Sequence, residues 1–307
     1  MRGFGGFLAY RLFRTLVSLW LVSTVVFVVM RLSGDPVPLL LPPDAPIAEM
    51  ERVRRDLGLD RPLPVQYGVF LANVVRGDFG RSIHFRQPAM DVAWSYLRAT
   101  FDLGLVAFTV ALAVAFPIGV LSAVRRNSLL DHATMGLALI GQSAPTFFIG
   151  ILLILTLSLR LDLFPTSGRG DWRHLVLPAL TLGAFTMASI ARITRSAVLE
   201  VLRADFVRTA RAKGVAELWV VGKHTLRNAA LPILTITGLQ FGTLLGGAVV
   251  TETVFAWPGI GRLAITSIYN RDYPVVQSTV FIAAVLFIAT NLVLDVLYGM
   301  LDPRARA

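Results

Sequence analysis

The sequence predicts an all-α membrane protein with six transmembrane helices, and three observations predict it. Hydrophobic residues make up 55% of the 307 residues and charged residues only 16%, where a soluble domain carries about a quarter charged residues. The mean hydropathy is +0.68. The apolar residues are gathered into long runs, and the short segments between them alternate between basic and less basic, as the positive-inside rule requires. That rule also accounts for most of the net charge of +10, so nucleic-acid binding is not expected. The chain contains no Cys, which excludes disulfides and thiolate sites.

The first apolar run is Tyr10 to Leu32, with Arg2, Arg11 and Arg14 at its start placing the N-terminus inside. No small-residue cleavage site follows it, so it reads as an uncleaved span rather than a signal peptide. Residues 33–98 are a long polar stretch on the outside. Its opening, SGDPVPLLLPPDAP, holds too many prolines for a regular helix. IAEMERVRRDLGL then reads as an amphipathic helix with Ile47, Met50, Val53 and Leu57 on one face. A second helix runs from about Val65 to Val75 and is closed by Gly77. The many arginines here do not breach the charge rule, because loops longer than about 60 residues translocate largely regardless of charge.

The second span is Thr100 to Val124, with Pro117 inside it, and RRNSLLDH follows as a short inner loop. The third is Ala133 to Leu159, interrupted at Gln142, Ser143 and Pro145. After an outer loop, Arg160 to His174, the fourth is Leu175 to Ala191. At about 17 residues it is at the lower limit for spanning, and it ends at Arg192 and Arg195. The fifth, Leu231 to Phe255, carries Gly238, Gly242 and Gly246 at intervals of four. Such a stripe of small residues lets a helix approach closely, either within the chain or from outside it. The outer loop Ala256 to Val275 holds a short amphipathic helix with Ile260, Leu263, Ala264 and Ile268 on one face, suited to the membrane edge. The sixth span is Val276 to Met300, and the basic tail DPRARA stays inside.

Between the fourth and fifth spans lies the longest strongly basic stretch, residues 196–232. Arg203, Arg208, Arg211, Lys213, Lys223 and Arg227 face only Asp205 and Glu217 across its centre. It does not read as a loop. Leu199, Leu202, Phe206 and Ala210 recur at helical spacing, Arg211 and Lys213 suit the negative end of a helix dipole, and Gly214 fits the left-handed position beyond a helix end. A second helical run, Val215 to Val221, follows. A structured knob on the inner face is suited to docking another protein.

Motifs for chemistry are missing. Gly222-Lys223 lacks the rest of a phosphate-binding loop, and Gly259-Ile260-Gly261 has no βαβ unit around it. The four histidines form no paired ligand set. Ionisable and polar groups near or within spans are costly there and often functional. Asp102 and Glu252 lie near outer ends, and Asp295 in the inner half of the sixth span. Gln142, Gln240, Thr243, Glu252 and Asn291 are the candidates for lining a translocation path. The four amides and hydroxyls serve equally well as hydrogen-bonded bridges between helices.

At the knob the chain resembles the membrane permeases of ATP-binding-cassette importers, whose inner-face motif has the form EAA-x3-G-x9-I-x-LP. Arg208-Thr209-Ala210 stands for EAA, Gly214 for the glycine, His224 for the apolar position and Leu226-Arg227 for LP. The departures at Arg208 and Arg227 are shared by the dipeptide and oligopeptide branch. Similarity to that branch runs through nearly the whole chain: SGDPV, DLGLDRPLPVQY, RGDFGRS, ETVFAWPGIGRL, RDYPVVQ and LYGMLDPR occur in its order. The same architecture in that family also serves nickel and glutathione import.

The resemblance implies a type I importer permease fold and a division of the chain. Residues 1–32 would be the inner N-terminus and first span, 33–98 an extracytoplasmic region, and 99–300 the permease core with a coupling segment at 196–230. Residues 301–307 would be a cytoplasmic tail. It implies that the chain lies in the bacterial or archaeal cytoplasmic membrane and moves di- or oligopeptides inward. It further implies a second, homologous permease subunit, two ATP-binding subunits and an extracytoplasmic substrate-binding protein. ATP and Mg would sit on the ATP-binding subunits, with no cofactor or metal on this chain, which is then not itself an enzyme. Asp205, Arg208, Thr209, Ala210, Arg211, Lys213 and Gly214 would dock the ATPase. A secondary transporter is the competing reading; it calls for inverted repeats and mid-membrane charges, neither of which stands out. A purely structural scaffold would need neither the outer helices nor the knob.

Overall fold

The computed structural model describes residues 4–32, 34, 37–42, 45–56 and 58–301. Expectations placed on Ser33, Asp35, Pro36, Leu57 and the tail beyond Leu301 lie outside the described residues, and the side chain of Asp295 is likewise outside them. Helices α1 (Phe4–Leu32), α2 (Val37–Leu40), α3 (Ile47–Asp56) and α4 (Leu63–Arg76) come first. Then come α5 (Ala89–Val124), α6 (Leu129–Ser143), α7 (Thr146–Leu153), α8 (Arg173–Leu202) and α9 (Asp205–Ala212). The last four are α10 (Glu217–Trp219), α11 (Leu226–Val254), α12 (Ile260–Tyr269) and α13 (Tyr273–Leu301). Wider π-helical turns extend α7 over Ile154–Arg160 and join α10 to α11 over Val220–Thr225.

Among the described residues, four helices are long and apolar enough to cross a membrane, and two bent pairs raise the number to six if each pair is one span. The third expected span is the first such pair: α6 and α7, with its π turn, meet at 112°. Ala144 and Pro145 are extended, at ψ 133° and 138°, and Pro145 has no N–H to continue the α6 ladder. The expected fourth span is much longer than foreseen, running for 30 residues to Leu202. The second begins early, at Ala89, inside what was expected to be the extracytoplasmic region. One helical turn, Val37–Leu40, forms where prolines argued against a regular helix.

The described residues form two compact units, one from those up to Ala99 with Pro258–Leu292, the other from Thr100–Trp257 with residues 293–301. In the first, α1 packs on α4: Thr24 and Tyr67 share a 2.6 Å hydrogen bond between hydroxyls, and Phe27 lies 5.2 Å and 5.3 Å from the rings of Tyr67 and Phe70. Gly77 closes α4 at φ 72°, as expected. Phe79, Ala89, Val92, Leu263 and Val275 form a core. Beside it Asp272, 1% exposed, accepts bonds from Ser82 Oγ at 2.5 Å and His84 N at 3.1 Å. These hold the 78–88 loop to the start of α13. Helix α12 buries Ile260, Leu263 and Ser267 against this unit, while Ile268 faces outward. The buried face keeps Ile260 and Leu263 but continues through Gly261 and Ser267 rather than Ala264 and Ile268, and Ile260 packs with Ala93 and Ile282.

The second unit is built around α8, which α5, α6, α7 and α11 surround. Small residues make this possible. A Cβ built on Gly119 of α5 would lie 2.7 Å from the Ala191 carbonyl oxygen and 2.8 Å from Thr194 Cβ. One on Gly183 of α8 would lie 3.0 Å from the Ala107 carbonyl oxygen. In hydrocarbon, helices associate by such close packing and by interhelical hydrogen bonds, since lipid tails are as apolar as Leu.

Candidate functional site

The basic stretch between α8 and α11 folds into a compact turn of helices, but its joints differ from those expected. The periodic run from Leu199 to Ala210 is not one helix. Helix α8 ends at Leu202, Arg203 and Ala204 make a turn, and α9 restarts after Ala204, which is extended at φ −67° and ψ 147°. Neither residue is a turn former, so the break carries no local signal; the buried contacts of α9 impose it. Val207 and Ala210 are buried against Val220, with Val201, Leu202 and Val215 around them. The second run, expected over Val215 to Val221, starts at Glu217 and continues through the π-helical turn into α11.

Gly214 sits at φ +77°, where a residue with a Cβ is strained, and its N–H reaches the Arg211 carbonyl at 2.9 Å. Across this turn Arg211 grips Glu217 in two parallel bonds, Nε to Oε2 at 3.0 Å and Nη2 to Oε1 at 2.6 Å. The carboxylate beside it holds the Arg211 guanidinium above its ordinary range. The turn is therefore set by its own residues.

Of the expected docking residues, Asp205, Arg208, Thr209, Arg211, Lys213 and Gly214 are exposed, while Ala210 belongs to the buried inner face. Arg208 stands 3.6 Å from Asp205 in an open ion pair. Phe206, Leu218 and Trp219 add exposed apolar surface to the same turn, at 46%, 83% and 62% exposure. The outward surface is thus cationic with apolar anchors, a composition common at protein interfaces.

A second polar cluster lies where α5, α6 and α8 meet. The Asp131 carboxylate, 3% exposed, accepts Arg195 Nε at 2.5 Å and Nη2 at 2.8 Å. It also accepts Ser122 Oγ at 2.5 Å and the Asn127 N–H at 3.0 Å. Four donors fill the sites a carboxylate offers. Sequence reasoning did not single out this cluster, having placed Asp131 in an inner loop and Arg195 beyond the end of a short span. One signal was present: Ser128 with Asp131 three residues on has capping-box spacing, and the structure shows Ser128 Oγ accepting the Asp131 N–H at 3.3 Å.

Of the candidates for a translocation path, the structure brings Gln240 and Thr243 together. Gln240 donates Nε2 to Ser189 Oγ at 2.7 Å, and Thr243 Oγ1 lies 3.2 Å from Gln240 Oε1. Glu252 is fully buried and accepts Thr100 Oγ1 at 2.5 Å. Gln142 is half-buried at the α6–α7 bend, and Asn291 bonds the Phe287 carbonyl of its own helix at 2.9 Å. Asp102 pairs with Arg169 at 2.6 Å. In the glycine stripe Gly242 is buried and Gly238 half-buried, whereas a Cβ on Gly246 would meet nothing within 4 Å.

Residues 115–307 match the family described as "Binding-protein-dependent transport system inner membrane component". Residues 5–115 match "Binding-prot-dependent transport system membrane comp, N-term". The glutathione transport system permease protein GsiC of Escherichia coli strain K12 is 45% identical over 297 residues, covering 96% of this chain and 97% of its own. GsiC of Shigella dysenteriae serotype 1 gives the same figures. Among solved structures, a chain of the MetNI methionine ABC transporter in inward-facing form superposes with a TM-score of 0.59 at 19% identity, covering 69% of this chain and 96% of that one. A chain of an amino acid ABC transporter with histidines gives 0.54 at 16% identity, covering 70% and 94%. At such identities the likeness is one of fold.

Proposed function

This chain belongs to the family of binding-protein-dependent transport system inner membrane components, and from that premise we propose that the importer it serves carries short peptides, with glutathione the first candidate. It is a permease subunit of an ABC importer, a multi-pass membrane protein whose partners include ATPase subunits and a binding protein. The observation that carries the substrate reading is the 45% identity, over 96% of the chain, to permeases of glutathione transport. Glutathione import is the alternative that stood beside di- and oligopeptide import, and this likeness favours it over the di- or oligopeptide expectation.

The second permease subunit is a homologue rather than another copy, and both termini lie in the cytoplasm. The α9–Gly214–α10 turn then faces the cytoplasm and docks the ATPase through Arg208, Lys213, Phe206 and Trp219. ATP closes the ATPase pair, the turn moves with it, and the spans switch from inward- to outward-facing. ATP drives this only through its different affinity for the two states. The turn suits the task because Arg211–Glu217 and the buried Val207, Ala210 and Val220 make it stiff.

The test is uptake by proteoliposomes containing the whole importer, supplied with ATP and its binding protein. Labelled glutathione, a dipeptide, a longer peptide and Ni²⁺ are offered in turn. Glutathione uptake that requires both ATP and the binding protein is the expected result. Uptake of Ni²⁺ with none of the peptides would overturn the substrate reading, and uptake on a gradient without ATPase subunits would overturn the coupling reading.

A further inference from the structure

We propose that Asp131 and Arg195 form a strut that carries movement of the α9 turn across to α6 and its bend. The inference rests on α9 as the docking element, but neither residue belongs to that element. Arg195 lies seven residues before the end of α8, which is about 10 Å at 1.5 Å per residue. Two packed clusters fill the interval. Ala123, Ala197, Val198, Ala229 and Ile233 join α5, α8 and α11, with Leu199, Val201 and Leu202 against them. Val201 and Leu202 also pack on Val207, Ala210 and Val220 beneath α9. The path from the turn to Arg195 is therefore continuous packing, in which small displacements are passed on rather than absorbed.

At Arg195 the path leaves α8 sideways. The two parallel bonds to Asp131 fix the angle between guanidinium and carboxylate, so α8 cannot rotate without turning α6 or breaking both bonds. Ser122 Oγ and the Asn127 N–H add the α5–α6 turn to the same rigid group. Asn127 holds φ +62° there, a conformation few residues adopt readily. The far end of α6 is the bend at Ser143–Thr146, with Gln142 beside it. A tilt of α6 moves that bend. Asp131 and Arg195 are thus positioning residues, acting on the pathway through α6 rather than by touching cargo.

The experiment uses the complete importer in nanodiscs, with ATP hydrolysis followed with and without ligand-loaded binding protein. In wild type the loaded binding protein stimulates hydrolysis. Asp131→Asn keeps the side chain's size but removes its charge and one acceptor. It is expected to lower the stimulated increment about tenfold, with co-purified ATPase and unstimulated hydrolysis at the wild-type level. Ser122→Ala removes one of four donors and should give a smaller fall. Asp131→Glu, which retains the paired charge, should recover part of the increment. In assembled Asp131→Asn importer, unstimulated and stimulated rates falling together mark a merely structural pair and overturn the strut, as does an unchanged increment. Should Asp131→Asn not assemble, Ser122→Ala decides, since an unchanged increment there overturns the proposal. Absence of stimulation in wild type would instead overturn the docking reading on which the strut depends.

Discussion

Helices α1 and α8 are nearly equal in length, at 29 and 30 residues, yet 11% of the most apolar stretch of α1 is buried against 61% of that of α8. Their residues explain the difference. Helix α1 turns Phe13, Leu16, Trp20 and Leu21 outward. Helix α8 buries Leu177, Leu182, Ile190 and Val198, but more of its buried residues are small or weakly polar, among them Ala179, Thr181, Thr186, Ala188, Ser189 and Thr194. In a soluble protein the large apolar residues would mark the buried helix. Here the small and weakly polar ones do, because in hydrocarbon a helix gains from close backbone approach and hydrogen bonds rather than from burying apolar surface. Apolarity marks what spans, and smallness marks what packs.

Four substitutions test that contrast, beginning with the largest effect. Arg195→Leu makes α8 more apolar and strands the buried Asp131 carboxylate; it is expected to cost about 3–5 kcal/mol, read as a lowered midpoint of thermal unfolding in nanodiscs. A variant as stable as wild type would show that the polar contacts of α8 do not hold it. Gly119→Leu should cost about 1–3 kcal/mol by overpacking, since the Ala191 carbonyl oxygen is backbone and cannot move aside. Full yield of folded protein with Leu at this position would refute the close approach of α5 and α8. Gly214→Ala should cost about 1–2 kcal/mol locally. Its Cβ meets nothing within 4 Å, so the penalty is one of backbone conformation, and the sensitive readout is retention of the ATPase during purification rather than the unfolding midpoint. Leu16→Ala on α1 should change stability by no more than about 0.5 kcal/mol. A larger drop, together with loss of the partner permease, would show that α1 is packed in the assembly and would collapse the contrast.

The features legible in the sequence were those with a local cause. Gly77 and Gly214 take positive φ, which glycine adopts without strain, and α12 and the apolar segments stood out by periodicity and composition. The features that were not legible have distant causes. The α8–α9 break lies between Arg203 and Ala204, with no glycine or proline to mark it, and only the packing of Val207 on Val220 demands it. Pro145 marked an interruption, but the angle of the bend depends on where α8 lies. The π-helical turns at Ile154–Arg160 and Val220–Thr225 have no compositional signature. For the candidate site, the basic stretch stood out by its charge and helical spacing, and the docking role of its residues came from the resemblance. The Asp131–Arg195 pair joins residues 64 apart and emerged only with the fold.

The bend between α6 and α7 has a consequence for biogenesis. Taken together, these two segments are apolar enough to enter the bilayer as one straight span. The surfaces that receive them when bent belong to α8 and the end of α11: a Cβ on Gly141 would lie 3.3 Å from Ala188 Cβ, and one on Gly150 would lie 3.2 Å from Val254 Cγ1 and 3.3 Å from Thr181 Cγ2. Helix α8 is translated afterwards. Irregular backbone within the bilayer is tolerated only where protein surrounds it, so the kinked form has no shelter until α8 is in place. Membrane insertion of this segment and its final packing are therefore expected to be separate events.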